Sequence, residues 1–217
     1  MMITPAMATA GRKISNLLVP EQAIEESEEI SDFSMQKGHV ILAGFGRVGT
    51  VVSGILREEG VEIVALDRNT RYVKQAREAG LRAYLGDASR PEMLNSVGLD
   101  GASAFIVTVD NPSIVEAMVR SVRAERPDIL ILARAHDQGH AASLEKAGAD
   151  YVVPEVVETG LQLSGETLHR YGYDYETVRS LLAAERDRQY HSQDPDAEPN
   201  QMTGVDTKKD PERTPGQ

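Results

Sequence analysis

Between residues 38 and 188, short apolar or β-branched runs alternate with longer stretches in which apolar residues recur every three or four positions. The runs are HVILAG (39–44), VEIVALD (61–67), LRAYLG (81–86), SAFIVTV (103–109), DILILAR (128–134) and DYVVPE (150–155). Runs that are apolar on both faces suit parallel strands covered by helices on either side. Six such units predict an α/β fold: a Rossmann-like, doubly wound parallel sheet of about six strands. Two helix starts are marked by local chemistry. Ser89 stands three residues before Glu92, the spacing of a capping box, and Asn111 precedes Pro112 as a cap. After the sixth run, residues 154–188 read as two helices broken near RYGYD. Their apolar positions, Leu161, Leu163, Leu168, Val178, Leu181 and Leu182, are more than one domain surface needs.

The flanks follow different patterns. The first residues, MMITPAMATAGRKI, are apolar and then basic. The apolar part is shorter than the ~20 residues of a spanning helix. A secretory signal places its charges before the apolar run, whereas here Arg12 and Lys13 follow it. That order fits either the cytoplasmic end of a membrane helix or a disordered leader. Residues 21–36 carry six acidic side chains without a basic partner, which predicts a solvated linker. The tail from about Tyr190 holds four prolines, many charges and few large apolar residues, and is expected to be disordered. The resulting division is 1–37, 38–153, 154–188 and 189–217.

Of the formal charge of -11, residues 21–36 contribute -6 and residues 189–217 contribute -3. An acidic chain without a basic, aromatic-interleaved run is a poor partner for nucleic acid. The absence of cysteine excludes disulfides, thiolate metal sites and a cysteine nucleophile.

The first run leads into GFGRVG, which sets Gly44, Gly46 and Gly49 in the Gly-x-Gly-x-x-Gly spacing. Such a motif supplies a tight turn, a bare backbone for approach to a pyrophosphate, and close packing of helix on strand. Here it follows a strand, opens a helix, and is followed by Asp67 at the end of the second run. The amides near Gly46, Arg47 and Val48 would face phosphate, with Arg47 adding a charge. The Asp67 carboxylate would accept both ribose hydroxyls, favouring NAD or AMP over NADP, a preference that Arg68 blurs.

Other residues reach the same sheet edge. Asp87, in YLGDASRPE, is either an adenine contact or the acceptor of an Asx turn. Asp110, in TVDNP, carries the same two readings. Arg134, ending the fifth run, is either an anion contact or part of a surface ion pair. His136 and His140 have helical spacing, but no third ligand accompanies them, and a titrating pair at a helix start is the simpler reading. No nucleophile elbow or Walker lysine is present.

The segments HVILAGFGRVGTVV, VALDRN, AYLGDASRPEMLNSVGL, FIVTVDNP and ILARAHD resemble the TrkA-N or RCK nucleotide-sensing domain, in the version found at the cytoplasmic end of Kef-type potassium/proton antiporters. The resemblance spans about residues 38–188. It implies a domain that does no chemistry, binds AMP or NAD/NADH, and forms a homodimer through the helices after the sixth strand. It also implies a place at the cytoplasmic face of the bacterial inner membrane, joined to an antiporter that is fused or separate. The first residues then look like the end of the antiporter's last membrane helix. By position, Gly44, Phe45, Gly46, Arg47 and Gly49 would contact phosphate, Asp67 ribose, and Asp87, Ala88 and Asp110 the adenine. Glutathione-gated members have arginines where this chain has Gly54 and Val156, so the resemblance does not extend to glutathione gating.

Two further functions stay open on the sequence. One is a small NAD-dependent oxidoreductase or epimerase, for which no Tyr-x-x-x-Lys is present. The other is a free regulatory subunit of a potassium-uptake system.

Overall fold

The computed structural model describes residues 37–191. The six strands run in parallel: β1 (Val40–Ala43), β2 (Ile63–Asp67), β3 (Arg82–Leu85), β4 (Ala104–Val107), β5 (Leu130–Ala135) and β6 (Tyr151–Pro154). Their spatial order is β3-β2-β1-β4-β5-β6. Each predicted run holds one of them, β5 extending one residue past its run to Ala135. The helices are α1 (Arg47–Glu58), α2 (Thr70–Glu78), α3 (Pro91–Ser96), α4 (Pro112–Glu125), α5 (Gln138–Ala147), α6 (Glu155–Arg170) and α7 (Tyr175–His191). The predicted acidic linker and leader lie outside the described residues, as does the predicted tail except for residues 189–191, which continue α7 instead of starting a disordered segment.

The doubly wound arrangement follows from which side chains each strand turns to which face. Ile41, Val64, Phe105, Val107, Ile131, Ala133 and Val152 join Val115, Val119, Val122 and Leu144 in one core. Leu42, Ala65 and Ala83 turn the opposite way, onto Phe45, Val73 and Ala76. Alternate residues therefore feed two apolar layers, as parallel strands covered on both faces require.

The helix starts divide. Asn111 caps α4 as expected, its side chain accepting from the Ile114 amide at 3.2 Å, with Pro112 in the first turn. Ser89 does not cap α3. Arg90 takes that position with extended backbone and no side-chain cap bond. The residue before a proline is pushed out of the helical region, so Pro91 sets the boundary one residue later than the capping box implied. The Ser89 hydroxyl donates instead to Asp87 Oδ1 at 2.7 Å.

The last two helices form a hairpin broken at residues 171–174, as predicted. Leu161 and Val178 are buried in it, and Gly165 lies so close to Leu182 that a Cβ there would sit 2.8 Å from its Cδ1. Glu158 on α6 accepts from Arg186 Nε (2.9 Å) and Nη2 (2.8 Å) and from the Tyr190 hydroxyl (2.9 Å) on α7. The Arg186 hydrogen bonds hold the Glu158 carboxyl below its usual range. Burial and then Glu158 push the Tyr190 phenol up. Leu163 remains 66% exposed, Val156 57% and Leu181 49%. Among the described residues no helix is long and apolar enough to cross a membrane.

Candidate functional site

Strand order reverses between β1 and β4, and in open α/β sheets the crevice beyond the carboxyl ends at that point is the place for a ligand. A cleft of about 390 Å³ opens there. The predicted residues Gly44, Gly46, Arg47, Val48, Asp67, Arg68, Ala88, Asp110 and Arg134 all line it.

The three glycines serve different ends. Gly44 has φ +96°, and a Cβ on it would lie 3.0 Å from Thr108 and Val109. Its amide donates to the Leu66 carbonyl at 2.8 Å, and its carbonyl accepts the Thr108 hydroxyl at 2.7 Å. On Gly49 a Cβ would lie 2.2 Å from the Gly44 carbonyl oxygen. Both are therefore required by the turn itself. Gly46 is not: its φ of -78° suits any residue, and nothing lies within 4 Å of a Cβ built there. It is the N-cap of α1, and no side chain caps the helix. The first-turn amides have no acceptor within the helix, so the positive end of its dipole is left to the cleft.

Asp67 is held beside this turn by two backbone donors, the Phe45 amide to Oδ2 at 2.7 Å and the Asn69 amide to Oδ1 at 2.8 Å. Its carboxylate is thus oriented by protein groups while still lining the cleft. The Phe45 ring is 1% exposed and belongs to the core. Gly49 likewise sits under the turn rather than in the cleft.

On the far side of β2, Asp87 accepts from Ser89 through the amide (3.0 Å) and the hydroxyl (2.7 Å), with Arg68 Nη1 3.7 Å away. The Ser89 hydroxyl bond is the largest cause holding the Asp87 carboxyl below its usual range. This is the Asx-turn arrangement, completed within the loop. Ala88 is buried beside it.

Across β1 from β2 lie Asp110 and Arg134. The Arg134 side chain is 15% exposed; its Nη2 donates to Asp110 at 3.0 Å and its Nε to Glu155 at 2.9 Å. The ion-pair reading of Arg134 is therefore the one observed, although the guanidinium also lines the cleft. His136 and His140 do not share a helix face. His136 precedes α5, whose cap is Asp137, accepting from the His140 amide at 2.9 Å. The His136 amide donates to His140 Nδ1 at 3.2 Å. Among the described residues no group of three or more potential metal ligands comes together.

Sequence reasoning passed over Tyr72, Thr108, Ile114, Met118 and Glu155, all at the cleft. Thr108 was legible only as part of an apolar run, and Glu155 only as the end of the sixth run. Neither reading carries information about a neighbour 21 or 64 residues away in the chain.

The TrkA-N domain model matches residues 40–155. Among relatives, the K(+) efflux antiporter 2, chloroplastic, of Arabidopsis thaliana is 34% identical over 77% of this chain and 14% of its own length. The putative K(+) efflux antiporter KefB of Alkalimonas amylolytica is 32% identical over 78% of this chain and 26% of its own. The chain thus spans about a quarter or less of these relatives. Among solved structures, the TrkA-N domain of the Escherichia coli inner membrane protein ybaL is 34% identical, with a TM-score of 0.55 over 59% of this chain and 98% of that one. The Kef C-terminal domain of Shewanella denitrificans in its AMP-bound form, 24% identical, superposes with a TM-score of 0.64 over 71% of this chain and 94% of that one. The GsuK channel bound to NAD, 20% identical, gives 0.56 over 59% and 23%. At those last two identities the likeness concerns the fold. The extent of the family match, more than half of the chain, and its coincidence with the sheet and cleft make the chain a member of the TrkA-N domain family.

Proposed function

We propose that this chain is the regulatory domain of a Kef-type potassium/proton antiporter, and that it binds an adenine nucleotide, AMP or NAD/NADH, in the cleft at the end of β1. The observation that carries the reading is Gly46. It is a glycine that the fold does not need, at an uncapped helix start, beside a carboxylate that two backbone amides hold in place. Phosphate on the α1 amides and ribose on Asp67 account for all three features. The nucleotides in the AMP-bound Kef domain and the NAD-bound channel support the ligand class.

On this reading the domain performs no chemistry. Nucleotide binding shifts it between arrangements that act differently on an attached transport domain, which requires different affinities for the two. The exposed Val156, Leu163 and Leu181 support a homodimer through α6 and α7. The antiporter relatives support a position at a membrane, and the reading places the domain on its cytoplasmic face. Gly54 and Val156 offer no cation to the carboxylates of glutathione.

Titration calorimetry of the chain with AMP, NAD+ and NADH tests the binding step. Saturable heat with at least one of them is expected, and weaker binding by Asp67→Asn, which retains an acceptor for one of the two amides. Absence of heat with all three would end the nucleotide reading.

A further inference from the structure

The cleft has a second polar group that phosphate at α1 does not use. Arg134, the next-to-last residue of β5, stands between two carboxylates, Asp110 after β4 and Glu155 at the start of α6. All three line the same cleft as Gly46 and Asp67. Strand order puts them across β1 from Asp67; with its ribose on Asp67, its phosphate on α1 and its adenine toward Ala88, a mononucleotide leaves them alone, which assigns Asp110 to the triad rather than to the adenine that the resemblance implied. The second half of a dinucleotide crosses the switch point toward β4 and β5. It meets a guanidinium whose Nε and Nη2 are already bonded to the protein's own acids, Glu155 and Asp110.

Glu155 is also a structural residue. It is the first residue of α6, a helix that Pro154 leaves without a side-chain cap. The first turn is tied to the domain by Glu155 on Arg134 and by the Val156 amide, which donates to the His136 carbonyl at 3.3 Å. Whatever draws Arg134 away from Glu155 removes one of these two ties.

We infer that the Asp110–Arg134–Glu155 triad distinguishes dinucleotides from mononucleotides, and that a dinucleotide loosens the start of α6 by competing with Glu155 for Arg134. The acceptors of its second ribose and carboxamide take Arg134 N–H groups, and the ribose hydroxyls donate to Asp110. AMP leaves the triad closed. This inference rests on the nucleotide reading above and adds to it the residue that reads ligand length and the helix that responds.

The test uses the whole chain as wild type and Glu155→Gln, with circular dichroism to show that both are folded, and AMP and NAD+ as the probes. In calorimetry, Glu155→Gln removes a charged competitor and is expected to tighten NAD+ by roughly threefold to tenfold, the range of a partly exposed charge-assisted pair. AMP affinity stays unchanged. In hydrogen exchange, the Val156 amide of the wild type speeds up with NAD+ and not with AMP, whereas in Glu155→Gln it is fast from the outset. Equal effects of the variant on both nucleotides, or Val156 exchange that NAD+ leaves unaltered, would overturn the triad while leaving nucleotide binding intact. Failure of NAD+ alone to bind the wild type would also overturn the triad, whereas failure of AMP, NAD+ and NADH together would overturn both readings.

Discussion

Gly46 and Gly49 stand three residues apart in one motif, and opposite outcomes are expected from the same substitution at each. Gly49→Ala sets a Cβ 2.2 Å from the Gly44 carbonyl oxygen. That oxygen is backbone, already accepts the Thr108 hydroxyl at 2.7 Å, and belongs to a residue fixed by the Leu66 carbonyl. No side chain can rotate aside to admit the methyl group. Replacing a helical glycine by alanine ordinarily gains about 0.5–1 kcal/mol, which offsets only part of the overpacking. A net cost of roughly 1–3 kcal/mol follows, the usual range for a strained insertion. At 2–4 °C per kcal/mol for a domain of this size, Tm falls by about 2–12 °C.

Gly46→Ala meets no atom within 4 Å and needs no change of φ. The cost is confined to exchanging glycine for alanine at an N-cap, about 1 kcal/mol or less, or a Tm drop of up to about 4 °C. AMP affinity should fall at least tenfold, roughly, because the methyl group occupies the space of phosphate approach. Thermal unfolding by circular dichroism without ligand, paired with calorimetry, checks both halves. A Gly49→Ala protein as stable as the wild type would refute the packing argument. A Gly46→Ala protein with unaltered AMP binding would refute the assignment of Gly46 to the ligand.

Other outcomes follow from side chains away from the cleft. Arg123 joins two turns by donating to the carbonyls of Gly148 (2.9 and 2.8 Å), Pro127 (2.7 Å) and Ile129 (2.9 Å) and to Asp150 (2.7 Å). Arg123→Ala should cost roughly 2–4 kcal/mol in urea unfolding, since several acceptors lose a charged donor together. Burial holds the His39 imidazole below its usual 6.5, outweighing the Val97 carbonyl that favours its proton. The unfolded chain therefore takes up the proton first, and stability is lost as pH falls below 6.5; the slope of Tm against pH there should flatten in His39→Leu. The depressed Glu158 carboxyl acts at lower pH: its stabilisation is full above 4.5 and is lost as pH falls through its folded value. The Tm difference between wild type and Glu158→Gln should shrink across that acid range.

The fold was legible because its signals are local and repeated. Each strand run is short, apolar on both faces and followed by a helical period, and each maps onto one observed strand. Asn111 before Pro112 worked as a cap for the same reason, as both halves of the interaction lie within four residues. Ser89 failed as a cap because two local signals competed. The proline restriction on Arg90 prevailed, and Asp87 took the hydroxyl. The spacing of His136 and His140 presumed a continuous helix, which begins only after Asp137.

From the sequence alone came the six βα units, the phosphate-type turn, and Asp67 at the right distance from it, all consequences of chain periodicity and steric rules that act over a few residues. Tertiary structure alone decided which glycine is free for a ligand, because the clash at Gly49 comes from the Gly44 carbonyl folded back over the helix start. It alone paired Arg134 with Asp110 and Glu155, 24 and 21 residues distant, since only strand order brings the ends of β4, β5 and β6 to one edge. Side-chain pairing at a sheet edge is a property of the sheet, and no local pattern in the chain encodes it.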